Sequence, residues 1–599
     1  MNARTTAPVS AGAAAPAGLR GTAPRRKRAV LVVLLAVLAA AASACATVPG
    51  DSSVQVLRKV SDGEAPPAPP GPVDGTNPLD LVRGFVYASG SSADRHGAAR
   101  RFLAPEAGTW DDGASVTVLD EQFGTVPVAS GPDSTTVRIR GTRIGTLTNS
   151  GAFEPDEAPV EADVTVVRRD GQWRIASLPP GVFVRLSDLR SNYRSIKVFF
   201  VDPVRSTVVP DLRYLPAVPA KAQAARAVDM LLDGPSAALA GAVASRLPET
   251  ASLTSNVTET ADGGLVVDLT GVGTLDDAGR RLLAAQVVLT LSEVNASRVR
   301  LLIDGAPVLP ATLDVTRADV ASAAADAADA GAPQQPALVA AGGRVRKLGG
   351  DDPGGVVAGQ MGNGAFDIAS AAVTIDGGRQ AVVSREGGRS RLIVGEGDKP
   401  LQATEVTGAV LTRPTWAPGG TEVWTVADGT TVSRVVLDPG APPRRAPVDA
   451  SALTAAGGSI TSFRMSRDGM RVAAVVGGRV VTASVARAFD GSVTLRGARL
   501  LRPGELGDAV AVDWRSTDTV VVVSARSDRA VSLVSADGLA LDSVSGSNLT
   551  PPLRAVAAAP NRPLLVVDQG GVWSFSGGQL DTWRLVAGGM PDAVPFYPG

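Results

Sequence analysis

The chain has 599 residues, with 58 Lys and Arg against 59 Asp and Glu, and a single Cys and a single His. One cysteine excludes an intrachain disulfide, a thiolate zinc site and a Cys-X-X-Cys redox pair, and one histidine leaves almost no room for Ser-His-Asp, Cys-His or multi-histidine metal arrangements. A net charge of −1, with basic residues spread along the chain, gives no electrostatic footprint for nucleic acid, and the length suits several domains, each with its own core.

The first element is a basic cluster, Arg25, Arg26, Lys27 and Arg28, followed by an apolar run over 31–44 that ends in small residues before Cys45. A charged region, a short apolar region and a small-residue cleavage point make a secretory signal. The run falls short of the roughly 20 residues that cross a bilayer, which argues against a spanning anchor. Ala42-Ser43-Ala44-Cys45 resembles a bacterial lipobox, with Ala42 where leucine is usual. That resemblance implies removal of 1–44 and a diacylglyceryl thioether on Cys45, with further N-acylation of the new amine. The expected location is the cell membrane, lipid-anchored on the extracytoplasmic face. The covalent lipid is the only prosthetic group expected. Lipidation also removes an exposed lone thiol, a liability in a secreted chain.

Residues 45–76 read as a lipidated tether, because 62–78 is rich in Pro and Gly and favours a semi-extended spacer. An α+β domain follows over 77–190. Asn77 can cap a helix with Pro78 in its first turn, and Leu79, Val82, Phe85 and Val86 then share a face. A second helix is predicted to hold Arg100, Arg101, Phe102 and Leu103. Alternating strands are predicted over 115–119, 135–140, 160–168 and 173–177, the last two joined at Asp170-Gly171. Helices followed by an antiparallel sheet form a cone, and Asp170-Gly171-Gln172-Trp173-Arg174-Ile175 resembles the closing hairpin of nuclear-transport-factor-like domains. Trp173 reads as core. His96, in a polar, Gly-flanked stretch, reads as an exposed loop residue.

A second α+β domain is expected over 191–315. A buried strand over 195–202 precedes an amphipathic helix over 220–233, with Ala224, Val228 and Leu231 in register and Gly234-Pro235 as its stop. Strands over 253–257 and 265–269 flank Asp262-Gly263-Gly264. A helix over 276–295 turns Leu282, Ala285 and Leu289 inward, and a last strand spans 298–303. The order resembles the GerMN domain of spore-germination and cell-envelope proteins. The matching pieces are 198–202, 231–235, Arg246-Leu247-Pro248, 266–269 and 286–291. Gln286, polar on an apolar face, reads as a structural hydrogen-bonding residue. Residues 316–337 read as a solvated linker, since 318–336 is an Ala/Asp run lacking large apolar residues.

From 338 to 599 a repeat emerges. Turns beginning at Thr374, Ala417, Ser466, Arg515 and Ala559 are spaced by 43, 49, 49 and 44 residues, each followed by an apolar, β-rich run. A turn-plus-strand unit at this period is the pattern of propeller blades, five or six in this length. Trp416, Phe463 and Trp514 stand before the turns, where inter-blade packing residues belong. Asp376-Gly377 and Asp468-Gly469 fit tight turns better than calcium loops.

The fold class is therefore multidomain: two α+β domains followed by an all-β propeller. A lipobox, a cone, a GerMN domain and a propeller, in that order, resemble the LpqB family of actinobacterial lipoproteins. The resemblance implies a non-enzymatic membrane accessory protein that acts on the extracellular sensor region of an MtrB-type histidine kinase. Through it the protein would act on the MtrA regulator of cell-wall metabolism and division. No catalytic, metal or partner-binding residue carries over. Two alternatives stay open: a lipoprotein that holds a peptidoglycan fragment in the cone or the propeller channel, and a hydrolase using carboxylates alone. The weak apolar character of 318–336 further predicts that the propeller folds independently of 77–313.

Overall fold

The computed structural model describes residues 69–260, 262–327, 335–349, 354–577 and 582–599. The expected signal segment, Cys45, the tether up to residue 68, and residues 328–334 of the predicted linker lie outside them. No helix among the described residues is long and apolar enough to cross a membrane.

Asn77 caps the first helix, Pro78–Ser89, by accepting a hydrogen bond from the Asp80 amide, and Leu81, Val82, Phe85 and Val86 are buried along one stripe. The helix packs on a six-stranded sheet. Across the sheet the strands run Gln172–Ser177, Phe153–Arg169, Ser134–Leu147, Val116–Leu119 and Val182–Arg185, with Gly124–Ser130 also paired to Ser134–Leu147. The second helix, Ala93–Arg100, ends before Arg101. Instead of continuing helically, Leu103 bridges Ile175 and the Ala104 amide bonds to the Ile175 carbonyl, because the sheet edge there offers partners.

His96 departs from expectation. It is buried, its Nδ1 lies 3.0 Å from the Ser89 carbonyl oxygen, and its ring stands edge-on to Trp110. Asp94, Arg95 and His96 all adopt left-handed backbone, a local reversal that periodicity does not reveal. Burial lowers the His96 pKa, outweighing the nearby Asp112 charge. Trp173 is partly buried against the core, as expected.

In the second α+β region, Tyr193–Asp202 pairs along its whole length with Thr207–Pro216, a strand absent from the sequence reading. Asp276 caps the helix Asp277–Ser292, which is buried on nearly every side. Leu265–Thr270 and Arg298–Ile303 lie parallel beside each other. The strand predicted over 253–257 is reduced to Ser252–Leu253 and Thr258–Glu259 on either side of a bend. Gln286 is fully enclosed: its Oε1 accepts from the Arg246 amide at 3.0 Å and its Nε2 donates to Ser245 Oγ at 2.9 Å.

The start of the stretch expected to be a solvated linker is packed. Thr316 and Asp319 form a capping box on the short helix Arg317–Val320, Val320 is buried in the core below it, and Ala324 bridges Val208. Val320, the reciprocal cap and the partly buried Ala323, Ala324 and Ala325 dock a segment that lacks large apolar residues.

Among the described residues, the rest of the chain forms five four-stranded antiparallel sheets, blades 1 to 5, over 368–408, 415–446, 460–500, 509–544 and 555–588. A sixth, three-stranded sheet combines Val594–Phe596 with Leu338–Ala341 and Arg344–Lys347. The last strand is innermost in blade 6 and the first two complete it outward, so both ends of the segment close the ring. Trp416 and Trp514 each pack in a core shared with the preceding blade, and Phe463 stacks on Trp424 of blade 2. In blades 1 and 3 the turn after the inner strand is held by its own side chains. Thr374 Oγ1 donates to Asp376, which accepts from the Gly378 amide, and Ser466 and Asp468 repeat the arrangement. These carboxylates are consumed by turn geometry, as the sequence suggested.

Candidate functional site

In an antiparallel blade, the turn between its first and second strands and the turn between its third and fourth lie at one end of the propeller. The other turns and the inter-blade connections lie at the opposite end. The two ends of this propeller have different fates.

At the first end, blades 3 and 4 are covered by the α+β domains. Met470 and Ala486 of blade 3 belong to the same core as the Tyr193–Asp202 hairpin, and Leu539 of blade 4 belongs to the core of the cone. Polar contacts frame these plugs. Arg471 Nη2 donates to the Pro210 carbonyl at 2.8 Å, Arg205 Nη1 to the Asp468 carbonyl at 3.2 Å, and Lys197 pairs with Asp518 at 3.2 Å. Arg190 reaches the Leu541 carbonyl at 3.1 Å, and the Tyr214 hydroxyl donates to Asp537 Oδ1 at 3.3 Å. Asp537 also accepts from Ser535 Oγ and the Leu539 amide, while its Oδ2 is buried without a partner. Burial pushes the Asp537 carboxyl up, against the pull of these donors. The space left where the three domains meet is only about 40 Å³. The expectation of an independently folding propeller meets a surface on which cores are shared.

At the opposite end the central channel is open. A cavity of about 600 Å³ is walled by the starts of the inner strands and by the loop before blade 2, with Leu411, Ile460, Phe463 and Val512 among its apolar residues. Arg413 and Arg464 of its lining meet the buried carboxylate of Asp513. Arg413 Nη2 donates to Asp513 Oδ2 at 2.7 Å and Arg464 Nε to Asp513 Oδ1 at 3.2 Å. Arg413 Nη1 reaches the Pro595 carbonyl of blade 6 at 2.6 Å, Arg464 Nη1 the Pro414 carbonyl at 2.7 Å, and the Ala558 amide of blade 5 donates to Asp513 at 3.1 Å. One carboxylate and two guanidiniums therefore tie together blades 2 to 6 across the axis. Burial alone would raise the Asp513 pKa. The charges of Arg413 and Arg464 outweigh it and hold the carboxyl down to about 2.

Arg413, Arg464 and Asp513 were not singled out from the sequence. A signal existed: Thr415, Arg464 and Asp513 each stand two residues before the first residue of their turn, the inner-strand position that faces the channel. Charges there, inside apolar strands, mark an internal cluster. Cys45, the one site residue expected from the sequence, lies outside the described residues. Among the described residues no group of three or more His, Cys, Asp or Glu could hold a metal ion.

Comparison with known proteins places three family descriptions on the chain: "Lipoprotein LpqB, N-terminal domain" over 71–190, "Sporulation and spore germination" over 197–309 and "Lipoprotein LpqB beta-propeller domain" over 342–598. The Lipoprotein LpqB of Rhodococcus opacus is 33% identical over 600 residues, covering 96% of this chain and 98% of the relative. That of Mycolicibacterium smegmatis is 34% identical, covering 95% and 100%. Among solved structures, a nidogen/laminin complex aligns at 12% identity with a TM-score of 0.32, covering 44% of this chain and 93% of that one.

Proposed function

The chain belongs to the LpqB lipoprotein family, and from that premise we propose that it is a membrane-anchored, extracytoplasmic, non-enzymatic protein that modulates the MtrB-type sensor kinase governing cell-wall metabolism and division. The observation that carries the reading is a family relationship over nearly the whole chain, joined to Cys45 behind a secretory signal. The side chains support a binding role. His96 is committed to the Ser89 carbonyl, and the buried carboxylates Asp468 and Asp513 are committed to turns and guanidiniums rather than paired in a cleft.

The mechanism is differential binding. The protein biases the sensor by binding one of its conformations more tightly than the other, and it can shift the equilibrium only by that difference. Confinement of both partners to one membrane raises their effective concentration, so the lipid and the binding surface act together. A thioether-linked diacyl unit with an added N-acyl chain supplies the two or more chains that stable anchoring needs.

Crosslinking in intact cells, followed by identification of the captured protein, tests the partner, and the expected product contains the kinase. The Cys45→Ala form should leave the membrane fraction and fail to restore kinase-dependent regulation at normal abundance, with partial recovery on overproduction. Full rescue by that soluble form at normal abundance would count against the reading.

A further inference from the structure

The open mouth of the propeller channel carries chemistry that neither the fold nor the family description uses. Its lining contains three guanidiniums, from Arg413, Arg464 and Arg554, and one carboxylate, from Asp428. The Asp428 carboxylate is engaged by the segment before blade 2, since Oδ1 accepts from the Val410 amide at 3.0 Å. Arg554 is paired at the rim with Asp592 at 2.7 Å. At the floor the balance is uneven. Two guanidiniums share Asp513, whose two oxygens are already filled by Arg413, Arg464 and the amides of Trp514 and Ala558. Nη2 of Arg464 makes no hydrogen bond among the described residues, whereas Nε and Nη1 are both used. In the wall, Ser370 is 6% exposed and its Oγ has no partner.

We propose that this cavity is a binding site for a peptide carboxylate, borne on a side chain or at a chain end, which would seat against Arg464 and Arg413. Guanidinium donors in a partly desolvated site select planar oxyanions. The walls choose among them. Leu411, Ile460, Phe463, Val512 and Val556 surround the entrance to the floor, so a carboxylate on an aliphatic stem gains apolar burial there, while a free phosphate would surrender hydration without that return. The volume lies within the range of ordinary ligand pockets, roughly 300–1,000 Å³. At the other propeller end the α+β domains cover blades 3 and 4, whereas this mouth lies clear of them.

The test uses the full-length lipidated protein in detergent micelles and a fluorescently labelled pentapeptide, Leu-Glu-Val-Ala-Glu, compared with its Gln-substituted, C-terminally amidated counterpart. The acidic peptide should bind at least about tenfold more tightly, and the preference should shrink with added salt. Because Arg464 and Arg413 also hold the ring together, the informative variants are at Val410, which is 67% exposed at the rim. Val410→Glu should weaken the acidic peptide severalfold and Val410→Lys should not, with unchanged thermal unfolding in both. Inorganic phosphate should compete poorly. Equal affinity for the two peptides, binding of neither, indifference to Val410→Glu, or full displacement by phosphate would each overturn the proposal. None of these results bears on capture of the kinase in cells, so the two readings fail separately.

Discussion

Two aspartates buried in the propeller carry opposite electrostatic fates. Asp513, in the channel, faces two guanidiniums and titrates at about 2. Asp537, at the junction with the α+β domains, faces the hydroxyls of Tyr214 and Ser535 and the Leu539 amide, and its pKa is raised by burial. Burial is the same force in both. What differs is whether the surrounding charge outweighs it. The channel is therefore an electrostatic rivet between blades, whereas the junction is held chiefly by apolar plugs, Met470, Ala486 and Leu539, with a carboxylate that is tolerated there.

The largest effect should come from Asp513→Ala, which strands two buried guanidiniums. A loss of about 3–5 kcal/mol is expected in urea unfolding monitored by tryptophan fluorescence. A loss below about 1 kcal/mol would show that the inter-blade cores alone hold the ring. At the junction, Met470→Ala or Leu539→Ala removes a side chain from a shared core and should cost about 2–4 kcal/mol. If the α+β domains melted unchanged in these variants, the sharing of cores would be geometric rather than energetic.

Acidification should separate the two aspartates. Asp513 is depressed in the folded state, so its contribution is complete above the usual 3.8 and is lost as the pH falls toward 2. At about 1.4 kcal/mol per pKa unit this is worth about 2 kcal/mol. Asp537 is raised, so its favourable share is complete below 3.8 and is lost as the pH climbs through its folded value. Stability measured against pH should thus lose its acid-side slope in Asp513→Asn and its slope above 3.8 in Asp537→Asn. Identical profiles for both variants and the parent would refute the contrast. The smallest effect belongs to Lys197→Ala: its pair with Asp518 is a quarter to a third exposed, and about 0–1 kcal/mol, diminishing with salt, is expected.

Reading from sequence succeeded where a local pattern carries the physics. The cap at Asn77, the helix behind Asp276, the strand Arg298–Ile303 and the inter-blade role of Trp416 and Trp514 follow from periodicity and capping groups. It failed where a residue's surroundings come from distant segments. His96 lies in a polar stretch yet is enclosed, because three successive left-handed residues turn it under Trp110. Thr207–Pro216 was missed because Pro210 and Asp211 interrupt its alternation. The Pro210 carbonyl is taken by Arg471 of blade 3, and Asp211 is paired with Arg213 and Ser236.

By itself the sequence determined the order of the parts, the repeat that builds the blades and, through one cysteine and one histidine, the exclusion of an intrachain disulfide and of multi-histidine metal sites. Each of these depends on neighbours along the chain or on composition. Only the tertiary structure decided that the ring closes with six sheets, that Arg413, Asp513 and Arg464 meet at its axis, and that one propeller end is shared with the α+β domains while the other stays open. These contacts join residues 49 to more than 300 positions apart. Burial and the balance of charge at such distances are properties of the fold.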